Sequence, residues 1–464
     1  MTNPYQSIFD SQKKFFQQEL RTNSISARVK KLKALKNWIK KNEKEICNEV
    51  KKDFNKGTEE VLLTEIKPIL DEINHTTSHI YEWAREEKVS TPLAFIGSKS
   101  KVIIEPKGVT LIIAPWNYPF NLCIGPLVSA IAAGNTAVIK PSENTPHTAE
   151  LIKKMIAELF PSNEITVATG DYLVSQDLLK LPFDHIFFTG SPQVGKIVMK
   201  AAAENLTPVT LELGGRNPVV IDETANLKDA AQKIVWGKFL NSGQTCIAPN
   251  YIYVQESKKD ELEKELIKQI KIQFPEENKN ITHIVNGNHF NRISKLLTDS
   301  VEGGSKVIHG NVKDETTNYF SPTLLTEVTK ESPIFMDEIF GPVLPILTFN
   351  KLEETIETIN EIEKPLALYV FSKSRKNQQY IIQNSSAGTT AINETTIQFA
   401  QPNLPFGGAN HSGIGKAHGR YGFIEFSNQR SILKQRVGFT SLKMIFPPYT
   451  NFTKKIIRFI TFRL

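Results

Sequence analysis

Only three cysteines occur in the 464 residues, Cys47, Cys123 and Cys246. An odd number so widely separated excludes a disulfide framework and fits no metal-ligand spacing. A reducing cytoplasmic setting and no metal are the expectations. Also missing is any run of about 18 apolar residues, so no membrane span is expected. No apolar signal-peptide core follows the opening Met1-Thr-Asn-Pro-Tyr-Gln-Ser. The longest apolar runs, such as Val109 to Pro115, have the length of buried strands. No repeat recurs at the periods of solenoids or propellers. The net charge of +7 is small for this length. Much of it lies in Lys30 to Lys52, where lysines alternate with Val29, Leu32, Leu35, Trp38 and Ile39 at helical spacing. That pattern suits a solvated helix face, and a nucleic-acid surface is the other reading. No aromatic-rich RNA motif or zinc finger accompanies it, so no nucleic-acid partner is expected.

What is present is ordinary globular composition, 40% hydrophobic and 23% charged, long enough for two or three domains with cores of their own. Residues 8 to 86 are poor in glycine and proline and predict several amphipathic helices. From about Lys101, short apolar runs alternate with helical segments. Strands are predicted at Gly108–Ala114, Thr136–Ile139, Ile165–Ala168, Asp184–Phe188 and Val209–Leu213. Helices are predicted at Leu122–Ala133, Thr148–Phe160 and Pro192–Glu204. Such alternation means βαβ units and an open parallel sheet, which binds ligands beyond the carboxyl ends of its strands. The second half repeats it, with a helix over Leu227–Phe239, the strand Tyr251–Val254, a helix over Lys258–Gln273, and strands at Leu344–Phe349 and Leu368–Phe371. The fold class is therefore α/β with two such domains.

Asn241-Ser-Gly-Gln-Thr-Cys246-Ile-Ala-Pro249 is a polar, glycine-containing loop between a helix and a strand, where a thiol is accessible. By itself a lone loop cysteine is more often a small packing residue, the reading that suits Cys47 and Cys123 among their apolar neighbours. In Leu211-Glu212-Leu213-Gly214-Gly215 a carboxylate ends a buried strand. Val209, Leu211 and Leu213 share one side, so Glu212 points to the other, at the sheet edge. A strand-end glutamate can merely cap a neighbour. In a semi-apolar pocket it can instead serve as a general base near neutral pH. Gly190-Ser-Pro-Gln-Val-Gly195-Lys196 follows a strand and opens a helix, a place where backbone N–H groups receive a pyrophosphate. A tight strand–helix turn is its plain alternative.

Glu-Leu-Gly-Gly and Gly-Gln-Thr-Cys, thirty-four residues apart, resemble the aldehyde dehydrogenase superfamily. Pro115-Trp-Asn117, Lys140-Pro-Ser-Glu143, Phe188-Thr-Gly-Ser191, Glu338-Ile-Phe-Gly-Pro342 and Leu404-Pro-Phe-Gly-Gly408 follow in the family's order, over roughly Lys101 to Phe426. Pro365-Leu-Ala-Leu-Tyr-Val-Phe371 and Phe446-Pro-Pro-Tyr449 resemble its class 3 branch, which includes fatty and aromatic aldehyde dehydrogenases.

The resemblance implies NAD(P)-dependent oxidation of medium- or long-chain aliphatic or aromatic aldehydes to acids. Cys246 would be the nucleophile, Glu212 the base that activates water, and Asn117 with the Cys246 N–H the oxyanion hole. The cofactor would meet Lys140 and Glu143 at the adenosine ribose and Gly190, Ser191 and Gly195 at the pyrophosphate. Glu338, Phe340 and Trp116 would lie at the nicotinamide end. Glu338-Ile-Phe340 is expected to be extended, with both side chains on one side. A carboxylate at Glu143 would repel a 2′-phosphate, favouring NAD, with NADP the alternative.

The implied organisation is a Rossmann-like cofactor domain (1–83 and 104–211), a catalytic domain (212–419), a bridging segment for a homodimer (84–103 and 420–442) and a C-terminal tail (443–464). In the tail, Phe452, Ile456, Ile460 and Leu464 recur at four-residue intervals among Lys454, Lys455, Arg458 and Arg463. Such a helix suits peripheral contact with anionic lipid, or docking that narrows a substrate mouth. Three positions depart from the pattern: Arg216, Gln398 and Ala417. The competing readings are a thiol hydrolase acting on esters and a non-catalytic protein that kept the fold. The first leaves Lys140, Gly195 and Glu338 without purpose, and the second leaves Cys246, Glu212 and Asn117 without one.

Overall fold

The computed structural model describes residues 3–92, 95–275 and 281–463. The α/β architecture is present as two largely parallel sheets. The first has six strands in the spatial order Gly413–Ile414, Val209–Leu213, His185–Gly190, Val109–Ile113, Thr136–Lys140, Ile165–Val167. All neighbours are parallel except the first pair, in which Gly413 stands opposite Glu212. The period-two alternation divides these strands between two cores. Ile112, Ile139 and Phe187 join Leu35, Ile39, Ile69 and Ile73 of the N-terminal helices. Leu111, Ile113, Ile186 and Phe188 face Val198 and Ala202 of the helix Pro192–Ala203. Each such side chain withdrawn from water contributes about 1.5–3 kcal/mol. Burial on both faces is why the strands read as continuous apolar runs.

Strand order reverses between Val109–Ile113 and His185–Gly190. Just past the carboxyl ends of that pair lie Pro115–Asn117 and Ser191, which is where an open α/β sheet offers its ligand crevice.

The second sheet has seven strands, Lys306–His309, Thr323–Thr326, Val343–Phe349, Tyr251–Gln255, Pro218–Ile221, Ala367–Phe371 and Thr389–Ile392, antiparallel only at the first pair. Its two faces carry separate cores. A separate three-stranded antiparallel sheet is made of Glu87–Val89, Ser98–Pro106 and Ser427–Gln435. The strand Val209–Leu213 lies wholly in the six-stranded sheet. Residues 420–426 belong to that body too, because Phe423 and Phe426 are buried against Trp83 and Phe187. Part of the 84–103 stretch and the terminal Leu464 lie outside the described residues.

The helix Asn451–Arg463 forms and packs against the turn Ser441–Ile445. Of its stripe, Phe452 and Ile460 are exposed and Ile456 is half-buried; Phe459 and Phe462 beside it are exposed too, and of residues 451–462 only Thr453 is buried. Among the described residues, no helix is long and apolar enough to cross a membrane.

Candidate active site

The loop before Cys246 is built from an unusual backbone. Asn241, Ser242 and Gly243 all have positive φ, 55°, 51° and 72°, a run costly for residues with a side chain. Side-chain bonds hold it. Glu60 Oε1 accepts the Asn241 N–H at 2.7 Å, and Asn241 Nδ2 donates to Asn117 O and Gln244 O at 2.9 and 3.0 Å. Gln244 Nε2 donates to His283 O, and Asn217 Nδ2 donates to Cys246 O at 2.8 Å. The half-buried Cys246 is thereby presented from a fixed loop.

Asn117 is buried and its Nδ2 donates one bond to Gln244 O at 3.0 Å, leaving its second N–H free. Glu212 is buried and neither carboxylate oxygen has a partner. Burial pushes its pKa well above the usual carboxylate range. Burial, then Glu212 and Glu338, push the Cys246 thiol up to about 12, while the N–H groups of Cys246 and Ile247 act the other way.

Asn117, Glu212 and Cys246 line one cavity of about 510 Å³ together with Trp116, Gly190, Ser191, Glu338 and Phe340, a size that suits a nucleotide-sized ligand. The Trp116 and Phe340 rings meet edge-on, 5.4 Å apart. Glu338 Oε1 accepts the Gly215 N–H at 3.0 Å, and a Cβ at Gly214 would come within 2.3 Å of Glu338 Oε2. Only glycines admit that carboxylate. Ser191 caps the helix Pro192–Ala203, accepting from Val194 N at 3.3 Å. Phe340 has φ 45°, so Glu338–Phe340 is not extended as expected; a turn, and not strand alternation, brings both side chains to the cavity.

Lys140, Glu143 and Gly195 stand outside the cavity's lining. Lys140 Nζ is bonded to Glu143 at 2.9 Å and to Pro141 O. Gly195 is buried, and a Cβ there would lie 2.8 Å from Leu213 Cδ2, so it lets the helix approach the strand.

A second, narrow cavity of about 40 Å³ also reaches Cys246 and Glu212. Its walls include Leu122, Phe187, Phe399, Phe406, Ala417 and His418. The His418 ring lies 4.5 Å from Phe399, and burial lowers its pKa to about 4, so it is neutral.

The model of the aldehyde dehydrogenase family matches residues 4–432. The chain belongs to this family. It is 44% identical over 457 residues to the 4,4'-diaponeurosporen-aldehyde dehydrogenase of Staphylococcus aureus, covering 98% of both chains. It is 40% identical over 432 residues to the dimeric NADP-preferring aldehyde dehydrogenase of Rattus norvegicus, covering 92% of this chain and 94% of that one. A solved Staphylococcus aureus AldH in a substrate-bound state superimposes with a TM-score of 0.94 at 43% identity, covering 99% of this chain and 100% of that one. The betaine aldehyde dehydrogenase of Staphylococcus aureus in complex with NAD+ does so with 0.84 at 28%, covering 93% and 88%. The protein is an oxidoreductase of the aldehyde dehydrogenase family, and its reaction uses NAD(P).

Three features of this aldehyde dehydrogenase were not singled out from its sequence. Lys238 is buried, and burial lowers its pKa to about 7, while the facing Glu338 is raised to about 7. Arg292 donates to Glu338 O and Ile339 O at 3.1 and 2.7 Å and so fixes that turn. Lys56 and Glu65 form a buried ion pair beneath Tyr118. None carries a motif; only the N–H and carboxylate partners brought by folding reveal them. The departing residues are also placed. Arg216 pairs with Glu363 at 2.6 Å. Gln398 donates to Tyr369 OH, which donates to Ile247 O beside Cys246. Ala417 faces the narrow cavity.

Proposed function

We propose that Cys246, Asn117 and Glu212 carry the oxidation of an aldehyde with a long apolar or aromatic body. The observation that supports it most is the opening of both cavities onto Cys246 and Glu212, one wide and polar-rimmed, one narrow and apolar. The Cys246 thiolate bonds through Sγ to the aldehyde carbon, and the carbonyl electron pair moves onto oxygen, where the free Asn117 N–H and the Cys246 N–H stabilise it. A bound nicotinamide cofactor would supply the hydride acceptor, and loss of hydride from the Cys246-bound carbon re-forms the carbonyl as a thioester. Glu212 then takes a proton from water as its oxygen attacks, the C–S bond breaks and the acid leaves. Gly190, Ser191, Glu338, Phe340 and Trp116 would hold the cofactor, whose nicotinamide half the wide cavity suits. Lys140, Glu143 and Gly195 would form its adenosine end. Cys246→Ser should abolish reduced-cofactor formation with the fold intact; retained oxidation refutes the assignment. Glu143 favours NAD, so Glu143→Gln should raise the kcat/KM ratio of NADP to NAD.

The free edges of the three-stranded sheet, with a mostly exposed strand Ser427–Gln435, support a homodimer in which the bridging segment meets a second copy. A monomer by sedimentation equilibrium would contradict this. The three unpaired cysteines support a reducing cytoplasm. From Phe426 to Leu464 the chain has eight Lys and Arg and no Asp or Glu, and the exposed Phe452, Phe459 and Phe462 accompany them. This favours anionic lipid over docking at the substrate mouth, since no described tail residue lines either cavity. Sedimentation with anionic vesicles, lost in a 451–464 deletion, is expected; an altered chain-length preference without vesicle binding would favour docking.

A further inference from the structure

Two charged side chains stand behind Glu212 without a part in the steps above. Gly407 separates the first of them from the carboxylate. A Cβ built on Gly407 would lie 2.9 Å from Glu212 Oε1 and 3.0 Å from Lys416 Cδ, so the base and the lysine stem flank one glycine. Lys416 Nζ donates to Gly407 O at 2.7 Å and to Gly408 O at 3.1 Å, which fixes the ammonium and leaves one donor over.

The second is Glu425, on the helix Gly419–Glu425. Its Oε1 accepts the Lys416 backbone N–H at 3.1 Å, and its Oε2 accepts from Thr210 Oγ1 at 2.9 Å. Thr210 precedes Glu212 by two residues in one strand, so both side chains share a face. Glycine at 415 keeps the junction open, since a Cβ there would lie about 3 Å from Thr210 and from both Glu425 oxygens.

We propose that Lys416 and Glu425 are positioning residues that set the charge of Glu212 with opposite signs. The Lys416 ammonium favours the ionised base and so works against the burial that disfavours it. Glu425 anchors the Lys416 backbone and opposes that ionisation. The directions agree, since Lys416 lowers the Glu212 pKa against burial and Glu425 raises it. The other titratable groups around the base are Cys246 across the cavity, Glu338 against Gly214, and His185 behind Thr210 with Lys107 beside it. His185 is held neutral by burial. The inference rests on Glu212 being the general base.

The test is the pH profile of the full-length enzyme, followed both by aldehyde oxidation and by hydrolysis of an activated ester without cofactor. Lys416→Gln, which keeps donors but removes the charge, should move the acidic limb up by about one pH unit, roughly tenfold in rate on that limb. Glu425→Gln should move it down, and Lys416→Arg should restore it. Opposite displacement is the signature that a structural defect does not produce. Lowered plateaus with unmoved limbs, or limbs moving the same way, overturn the proposal. Glu212→Gln separates this from the parent reading: a limb that survives in that variant means Glu212 is not the base at all. If one variant fails to fold, the sign of the other's displacement decides.

Discussion

Lys56 and Glu65 are both wholly buried and pair at 2.8 Å, with the Lys56 ammonium 4.0 Å above the Tyr118 ring. Glu65 Oε2 also accepts the Asn121 N–H at 2.9 Å, and Tyr118 OH meets Thr245 Oγ1 at 2.5 Å, one residue before Cys246. The N-terminal helices thus grip the Cys246 loop from behind.

Removing one partner strands the other charge in the core. Lys56→Met should destabilise the fold by about 3–5 kcal/mol, and Lys56→Met with Glu65→Leu by much less. Urea unfolding measures both; equal losses in the single and double variants would show that the pairing is not what matters.

The Cys246 thiol stands at about 12 because of burial and the two nearby glutamates. Only the thiolate alkylates. In cofactor-free protein the iodoacetamide rate at Cys246 should therefore climb about tenfold per pH unit from about pH 7 to about pH 10. Glu338→Gln removes a charge that disfavours the thiolate, so alkylation should quicken across that window. Mass spectrometry of the Cys246 adduct reads both, and a plateau near neutrality contradicts the first.

Gly243 has φ 72°, and a Cβ there would lie 2.2 Å from Gly341 O. Gly243→Ala should cost about 1–3 kcal/mol and displace the Cys246 loop, so kcat should fall along with the unfolding midpoint. Unchanged kcat in a well-folded variant would show that the loop tolerates the shift.

Ala417 lines the narrow apolar cavity with Phe399 and His418. Ala417→Phe should fill it and lower kcat/KM for a long aliphatic aldehyde about tenfold more than for acetaldehyde, on the scale of a few methylenes' burial. An equal loss for both would place the substrate elsewhere.

Much of this was legible beforehand where the physics is local. Val109–Ile113 and Val209–Leu213 are strands because apolar, β-branched runs between turn residues have few alternatives, and Pro192–Ala203 is a helix with its own Ser191 cap. Long-range contacts stayed hidden. Asp53 accepts from His147 N, Thr148 N and Thr148 Oγ1, so the helix Pro146–Leu159, which has no side-chain cap of its own, is capped from 94 residues away. The turn at Phe340 was likewise invisible, since Arg292 and the Gly214–Gly215 backbone hold Glu338 in place from distant positions.

Residue order alone determined the α/β class and the family, because periodicity, turn chemistry and short motifs are properties of neighbours along the chain. Tertiary structure decided the charge environment of Glu212 and Cys246 and the width of the apolar channel. Those depend on burial and on partners such as Lys416, Glu425 and Phe399, which lie far away in sequence and come together only when the chain folds.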